Sequence, residues 1–187
     1  MVFNVAADSG GAVSILNNFY NEFIENADNH YYLILSSSLL TNKNNISVIK
    51  YEWIKKSWLH RLYFDHFIAP NLVNKHCVER VISLQNIGIP RMNVPQTVYI
   101  QNALFFTEHK FSIFKAPKLW TYQNILKILV LNSLKRVDEI IVQSNWMKEK
   151  CINAVKCDPE KIKVMPPEIK NNVKSYFDNK KESFSTF

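Results

Sequence analysis

Short apolar runs rich in β-branched and aromatic residues recur along the chain, and most are separated by stretches with helical spacing. The runs fall at 2–7 (VFNVAA), 31–35 (YYLIL), 46–51 (ISVIKY), 80–85 (RVISLQ), 97–101 (TVYIQ), 139–143 (EIIVQ) and 161–165 (KIKVM). A strand apolar on both sides must be covered on both faces, and helical connectors make neighbouring strands parallel. The spacing therefore predicts an α/β domain, a Rossmann-like parallel sheet with helices on both faces. Helices are expected over 12–26, 60–76, 123–134 and 146–155, with Pro70 breaking or kinking the second. The domain is expected to span residues 1–169. Residues 170–187 are polar, contain four lysines and read as a linker or tail.

Composition narrows the function classes. The 187 residues, 47% of them apolar, suffice for one domain with a real core. No apolar run reaches the ~18 residues that a membrane span needs. Met1 to Ala7 has no basic start and no long apolar stretch, so no signal peptide is expected. Cys77, Cys151 and Cys157 form neither CxxC nor an even framework, which fits a reduced, cytoplasmic compartment. Charge is uneven. Residues 1–100 hold 8 Lys/Arg against 7 Asp/Glu, whereas residues 101–187 hold 15 against 9. A basic half points to an anionic partner. The chain lacks a helix-turn-helix, RNP, KH or zinc pattern, so nucleic acid is not the expected one. Five histidines show no metal-ligand spacing, and no G-x-S-x-G elbow supports hydrolase chemistry.

Parallel sheets bind ligands beyond the carboxyl ends of their strands. Those ends carry Ser9, Gly10 and Gly11, then Ser36-Ser37-Ser38, Gln85-Asn86, Gln101-Asn102 and Gln143-Ser144-Asn145. Neutral hydrogen-bonding groups with few acids suit a hydroxyl-rich ligand such as a sugar, and no metal. The same residue types also populate ordinary turns. The chain has only three glycines, against about thirteen at average usage, and two of them are adjacent at the opening of a helix. That pair matches neither GxGxxG nor a Walker loop, which argues against a dinucleotide site and a P-loop NTPase.

From these segments the chain resembles the N-terminal domain of GT-B glycosyltransferases of the retaining family four, with bacterial enzymes of surface-polysaccharide assembly the nearest in pattern. The resemblance rests on the order and spacing of SGGA (9–12), VISLQNIGIP (81–90), PQTVYIQNALFF (95–106), VDEIIVQSNWMKEKC (137–151) and KIKVMPPEI (161–169). It implies a two-domain enzyme in which this half binds the acceptor, a saccharide or a polyprenyl-linked one. A second domain would hold a nucleoside-diphosphate sugar. The resemblance further implies transfer with retention of configuration, without a metal or other cofactor, the leaving phosphate oxygen assisting deprotonation of the acceptor. Gly10-Gly11 would lie near the diphosphate. The chain ends where the second domain of the family begins, so the donor domain is expected to be missing and the chain inactive alone. The family's histidine in the loop after the fifth strand is replaced by Gln101-Asn102, which leaves no catalytic residue assigned. His109 is the histidine nearest the expected cleft and a candidate for proton transfer. Glu160 and Glu168 reproduce the family's E-x7-E by coincidence, since the pair brackets a strand.

One further segment stands out. Lys110, Phe111, Phe114, Lys115, Lys118 and Trp120 interleave cations with rings, a pattern suited to a membrane interface. Residues 53–58 (WIKKSW) repeat it. Two hypotheses follow. The first is the acceptor-binding domain of a glycosyltransferase at the inner face of the membrane. The second is a non-catalytic membrane-docking subunit that pairs with a separate donor-binding chain.

Overall fold

The computed structural model describes residues 1–6, 10–26, 28–37 and 40–166. Ser9 and the expected 170–187 linker lie outside the described residues. Seven strands, β1 (Val2–Asn4), β2 (Tyr31–Leu35), β3 (Ile46–Lys50), β4 (Val81–Ser83), β5 (Gln96–Ile100), β6 (Glu139–Val142) and β7 (Ile162–Val164), form one parallel sheet. Its order is β3-β2-β1-β4-β5-β6-β7, which confirms the Rossmann-like α/β architecture. The chain runs outward from β1 to β3 on one side and from β4 to β7 on the other. The topological switch therefore lies between β1 and β4, where Phe3 is in register with Ser83.

Alternation along each strand sends its side chains to two faces. Val2, Leu33, Leu35, Leu84 and Tyr99 pack against Ile15, Leu16, Tyr20 and Phe23 of α1 (Gly11–Glu25). Phe3, Val5, Ile34 and Val81 meet Phe64, Ala69, Leu72 and Val73 on the opposite face. There the chain forms α2 (Trp58–Tyr63) and α3 (Ala69–Lys75). Farther along that face, Val98, Ile100, Ile140 and Val142 meet α5 (Lys127–Leu134) and α6 (Asn145–Val155) through Val130, Leu134, Met147 and Cys151. The expected two-sided cover is present, but unevenly shared: among the described residues α1 is the helix on the first face.

Of the two expected effects of Pro70, a break is not seen: the helix runs on through it, past a local change of register. A π turn at Phe64–Ile68 joins α2 to α3, with the Ala69 amide bonded to the Phe64 carbonyl five residues back. Opening the register just before the proline lets the chain continue helical without the amide that proline lacks. A second π turn, Tyr122–Leu126, joins α4 (Pro117–Thr121) to α5. This helix starts earlier than its apolar pattern suggests, with Pro117 in the first turn, where a missing amide costs nothing.

The loop between β4 and β5 is held by side chains. The Gln96 carboxamide accepts from the Ile89 amide at 2.6 Å and donates to the Ile89 carbonyl at 3.1 Å. The Gly88 amide donates to Ser133 Oγ at 2.9 Å. A methyl group on Gly88 would sit 2.7 Å from Val137 Cγ1. Gly88→Ala should therefore destabilise the domain by about 1–3 kcal/mol in urea unfolding, the usual cost of overpacking; an unchanged midpoint would contradict this contact.

Candidate functional site

The sheet order brings two loops together at the switch, the one after β1 and the one after β4, and a crevice there is where open α/β sheets take their ligands. Gly10 forms the N-cap of α1 with φ +69° and ψ −149°, a conformation that side-chain-bearing residues avoid. Its carbonyl accepts from the Val13 and Ser14 amides at 3.1 and 3.3 Å. Among the described residues no side chain caps this 15-residue helix, and no acidic residue stands in its first turn. A Cβ on Gly11 would meet nothing within 4 Å, so space is open beside the helix start. A helix start of this kind carries partial positive charge, which suits an anion.

Two buried carboxamides stand at the same switch. Asn4, the last residue of β1, is 1% exposed, and Gln85, two residues past β4, is 6% exposed. Neither the nitrogen nor the oxygen of either side chain has a hydrogen-bond partner. Asn4 shares its sheet face with Val2, and Val2 packs with Ile15 and Leu16. A buried polar group without a partner costs about 1–3 kcal/mol, so four such atoms at the ends of two neighbouring strands call for a reason. A carboxamide offers both a donor and an acceptor, as a hydroxyl does.

The other expected residues behave differently. Asn86 adopts φ +65°, and its Oδ1 accepts from the Gln101 and Asn102 amides at 2.6 and 2.9 Å. Gln101 donates to the Leu84 carbonyl at 2.8 Å. Asn102 caps the short turn Ala103–Phe105 through the Leu104 amide at 2.9 Å, and Ser144 caps α6 through the Met147 amide at 3.3 Å. These four shape the loops of the crevice, and the polar atoms named are already bonded. Ser36 is likewise committed, donating to the Val5 carbonyl at 2.7 Å. Gly10, Gly11 and Gln85 remain from the expected set, and Asn4 joins them. The signal for Asn4 was present: an asparagine inside a strand otherwise apolar on both faces.

The cation–ring segment divides. Phe114 is 95% exposed, and Lys115 and Lys118 are exposed beside it, whereas Phe111 and Trp120 are half-buried. In the second segment Trp58 is 55% exposed, but Trp53 lies against Tyr51 and Phe64. His109 is exposed, its ring set edge-on against Phe111. Among the described residues, no group of three or more His, Cys, Asp or Glu side chains could hold a metal ion. No helix of the described residues is long and apolar enough to cross a membrane.

The three cysteines are free thiols. Burial pushes the Cys151 thiol up to about 12, which keeps it protonated and inert. Iodoacetamide at pH 8 should label exposed Cys77 in the native protein and reach Cys151 only on unfolding, as peptide mass mapping would report.

Compared with known proteins, the chain matches no family model and no curated protein.

Proposed function

We propose that this domain is the acceptor-binding half of a retaining glycosyltransferase. The observation that carries the reading is a pair of buried, unpartnered carboxamides, Asn4 and Gln85, at the β1/β4 switch, where the chain goes on from β1 to a helix that opens on Gly10-Gly11. A sugar acceptor presents hydroxyls that pair with Asn4 and Gln85 in both hydrogen-bonding senses. The diphosphate of a nucleoside-diphosphate sugar lies against the open amides of α1, with Gly11 leaving it room. The donor is gripped chiefly by a second domain, supplied by the same polypeptide or by a partner chain, and this domain alone does not transfer sugar. The leaving phosphate oxygen takes the acceptor proton, so no metal is required.

The exposed apolar and basic surface supports a membrane-linked acceptor, a polyprenyl diphosphate sugar at the cytoplasmic face. Phe114, Ile113, Lys115 and Lys118 form one part of that surface. Leu59, Tyr63 and Phe67, spaced by four along α2 and its π turn, form another.

The test is a transfer assay on the protein isolated from its source cells with whatever chain carries the donor site. Labelled UDP- and GDP-hexoses are incubated with source membranes, with and without EDTA. A glycoside of unchanged anomeric configuration, formed equally in both conditions, is expected. A membrane-bound complex that transfers nothing from any donor would instead favour the docking-subunit reading.

A further inference from the structure

We propose a second ligand site on the helical face, a groove that binds a phosphate-bearing anion. It shares no lining residue with the crevice and does not depend on the glycosyltransferase reading. The groove encloses about 810 Å³ between the loop after Ala103–Phe105, the helix Pro117–Leu134 and α6.

Its cations come from three separate elements: Lys110 from the loop, Lys127 from the first residue of α5, and Lys150 from α6. A single carboxylate, Glu108, lines the same space and bonds Lys150. Three ammonium groups against one carboxylate leave a net excess of two positive charges. A groove with that balance concentrates anions.

The wall that carries Lys110 is fixed in place. The Gln123 carboxamide donates to the His109 carbonyl and accepts from the Phe111 amide at 3.1 Å. The backbone on both sides of Lys110 is thus fastened by one side chain of the π turn. Trp120, Gln123, Asn124 and Lys127 all line the groove from the helix that the π turn interrupts. Beneath the groove, Phe105 is stacked on Tyr122 with ring centroids 6.4 Å apart. Phe111 and Trp120 add ring surface at the wall.

Ammonium groups converging from three elements suit phosphate, which accepts hydrogen bonds from several donors at once. The rings suit an apolar or sugar portion next to it. Two sources carry that chemistry, a phospholipid headgroup and a soluble phosphate ester or diphosphate. Phe114 and Ile113, exposed on the same loop, would bring a headgroup within reach.

The experiment uses the full chain with two probes. Inorganic pyrophosphate is titrated by calorimetry, and vesicles of phosphatidylglycerol are compared with vesicles of phosphatidylcholine in a flotation assay. The double variant Lys110→Gln/Lys127→Gln is compared with a surface control, Lys75→Gln, and circular dichroism checks that each is folded. The site predicts saturable binding to at least one anionic probe, weakened about tenfold or more in the double variant and unchanged in the control. Pyrophosphate binding that responds in this way assigns a soluble phosphate. Phosphatidylglycerol binding alone, responding in the same way, assigns the headgroup. Gln123→Ala should weaken the same probe by freeing the Lys110 wall. Absence of binding to both probes, or binding that the double variant leaves unchanged, would overturn the site. Sugar transfer is a separate readout, so either outcome leaves the crevice reading to its own test.

Discussion

On the proposed function, leucine in place of Gln85 is expected to lower sugar transfer by the complex isolated from source cells about 10- to 100-fold while leaving the unliganded domain as stable as before, or more stable by about 1 kcal/mol. The two halves of this expectation have one cause. Gln85 is buried and its carboxamide has no protein partner, so an apolar side chain of similar size removes an unmet desolvation cost. On that reading the hydrogen bond lost on substitution is one made to ligand, and a bond of about 1.4–3 kcal/mol corresponds to the stated range of rate. A structural glutamine would give the opposite pattern, lost stability with activity falling only as the fold fails. Asn4→Leu should behave in the same way. Urea unfolding and the transfer rate, measured on the same preparations, separate the two cases.

Phe64→Ala should have the largest effect on stability, about 4 kcal/mol. The side chain is fully buried, and its ring lies 5.2 Å from Tyr51, 6.2 Å from Trp53 and 6.3 Å from Phe3 between centroids. It also opens the π turn that carries the helix past Pro70. Deletion removes the buried ring and the anchor that fixes that register. For a domain of this size the thermal midpoint should drop by about 8–16 °C. A drop of only a degree or two would mean that the turn repacks around the gap and that the register is set elsewhere.

The sheet was legible because every strand carries its own apolar run. Tyr31–Leu35 was read to the residue, since YYLIL is flanked by polar turns on both sides. The helix joints were not legible. A π turn shifts the hydrophobic period by one residue, and in Phe64–Ile68 and Tyr122–Leu126 that shift is hidden among residues that are mostly apolar. The start of α4 was missed because the apolar helical spacing begins only near residue 123, whereas Pro117 already stands in the first turn.

The crevice was legible as a place more than as a set of residues. Asn86, Gln101, Asn102 and Ser144 are the residue types that bind sugars, and they are also the types that bond loop amides and cap helices. Sequence spacing does not tell a carboxamide already bonded to backbone from one left free. Asn4 shows the converse: the apolar run around it hid a polar side chain that no neighbour satisfies.

The central claim is that the β1/β4 crevice holds a saccharide through Asn4 and Gln85. Its most direct test is the nitrogen–proton spectrum of the side-chain amides, assigned through the Asn4→Leu and Gln85→Leu variants. The probe is the oligosaccharide mixture released from the surface polysaccharide of the source cells. The account predicts that both amide signals move saturably on titration, and that Gln85→Leu abolishes the movement of the Asn4 signal at the same concentrations. Saturable binding with both signals unmoved, or no binding of any component, would contradict it.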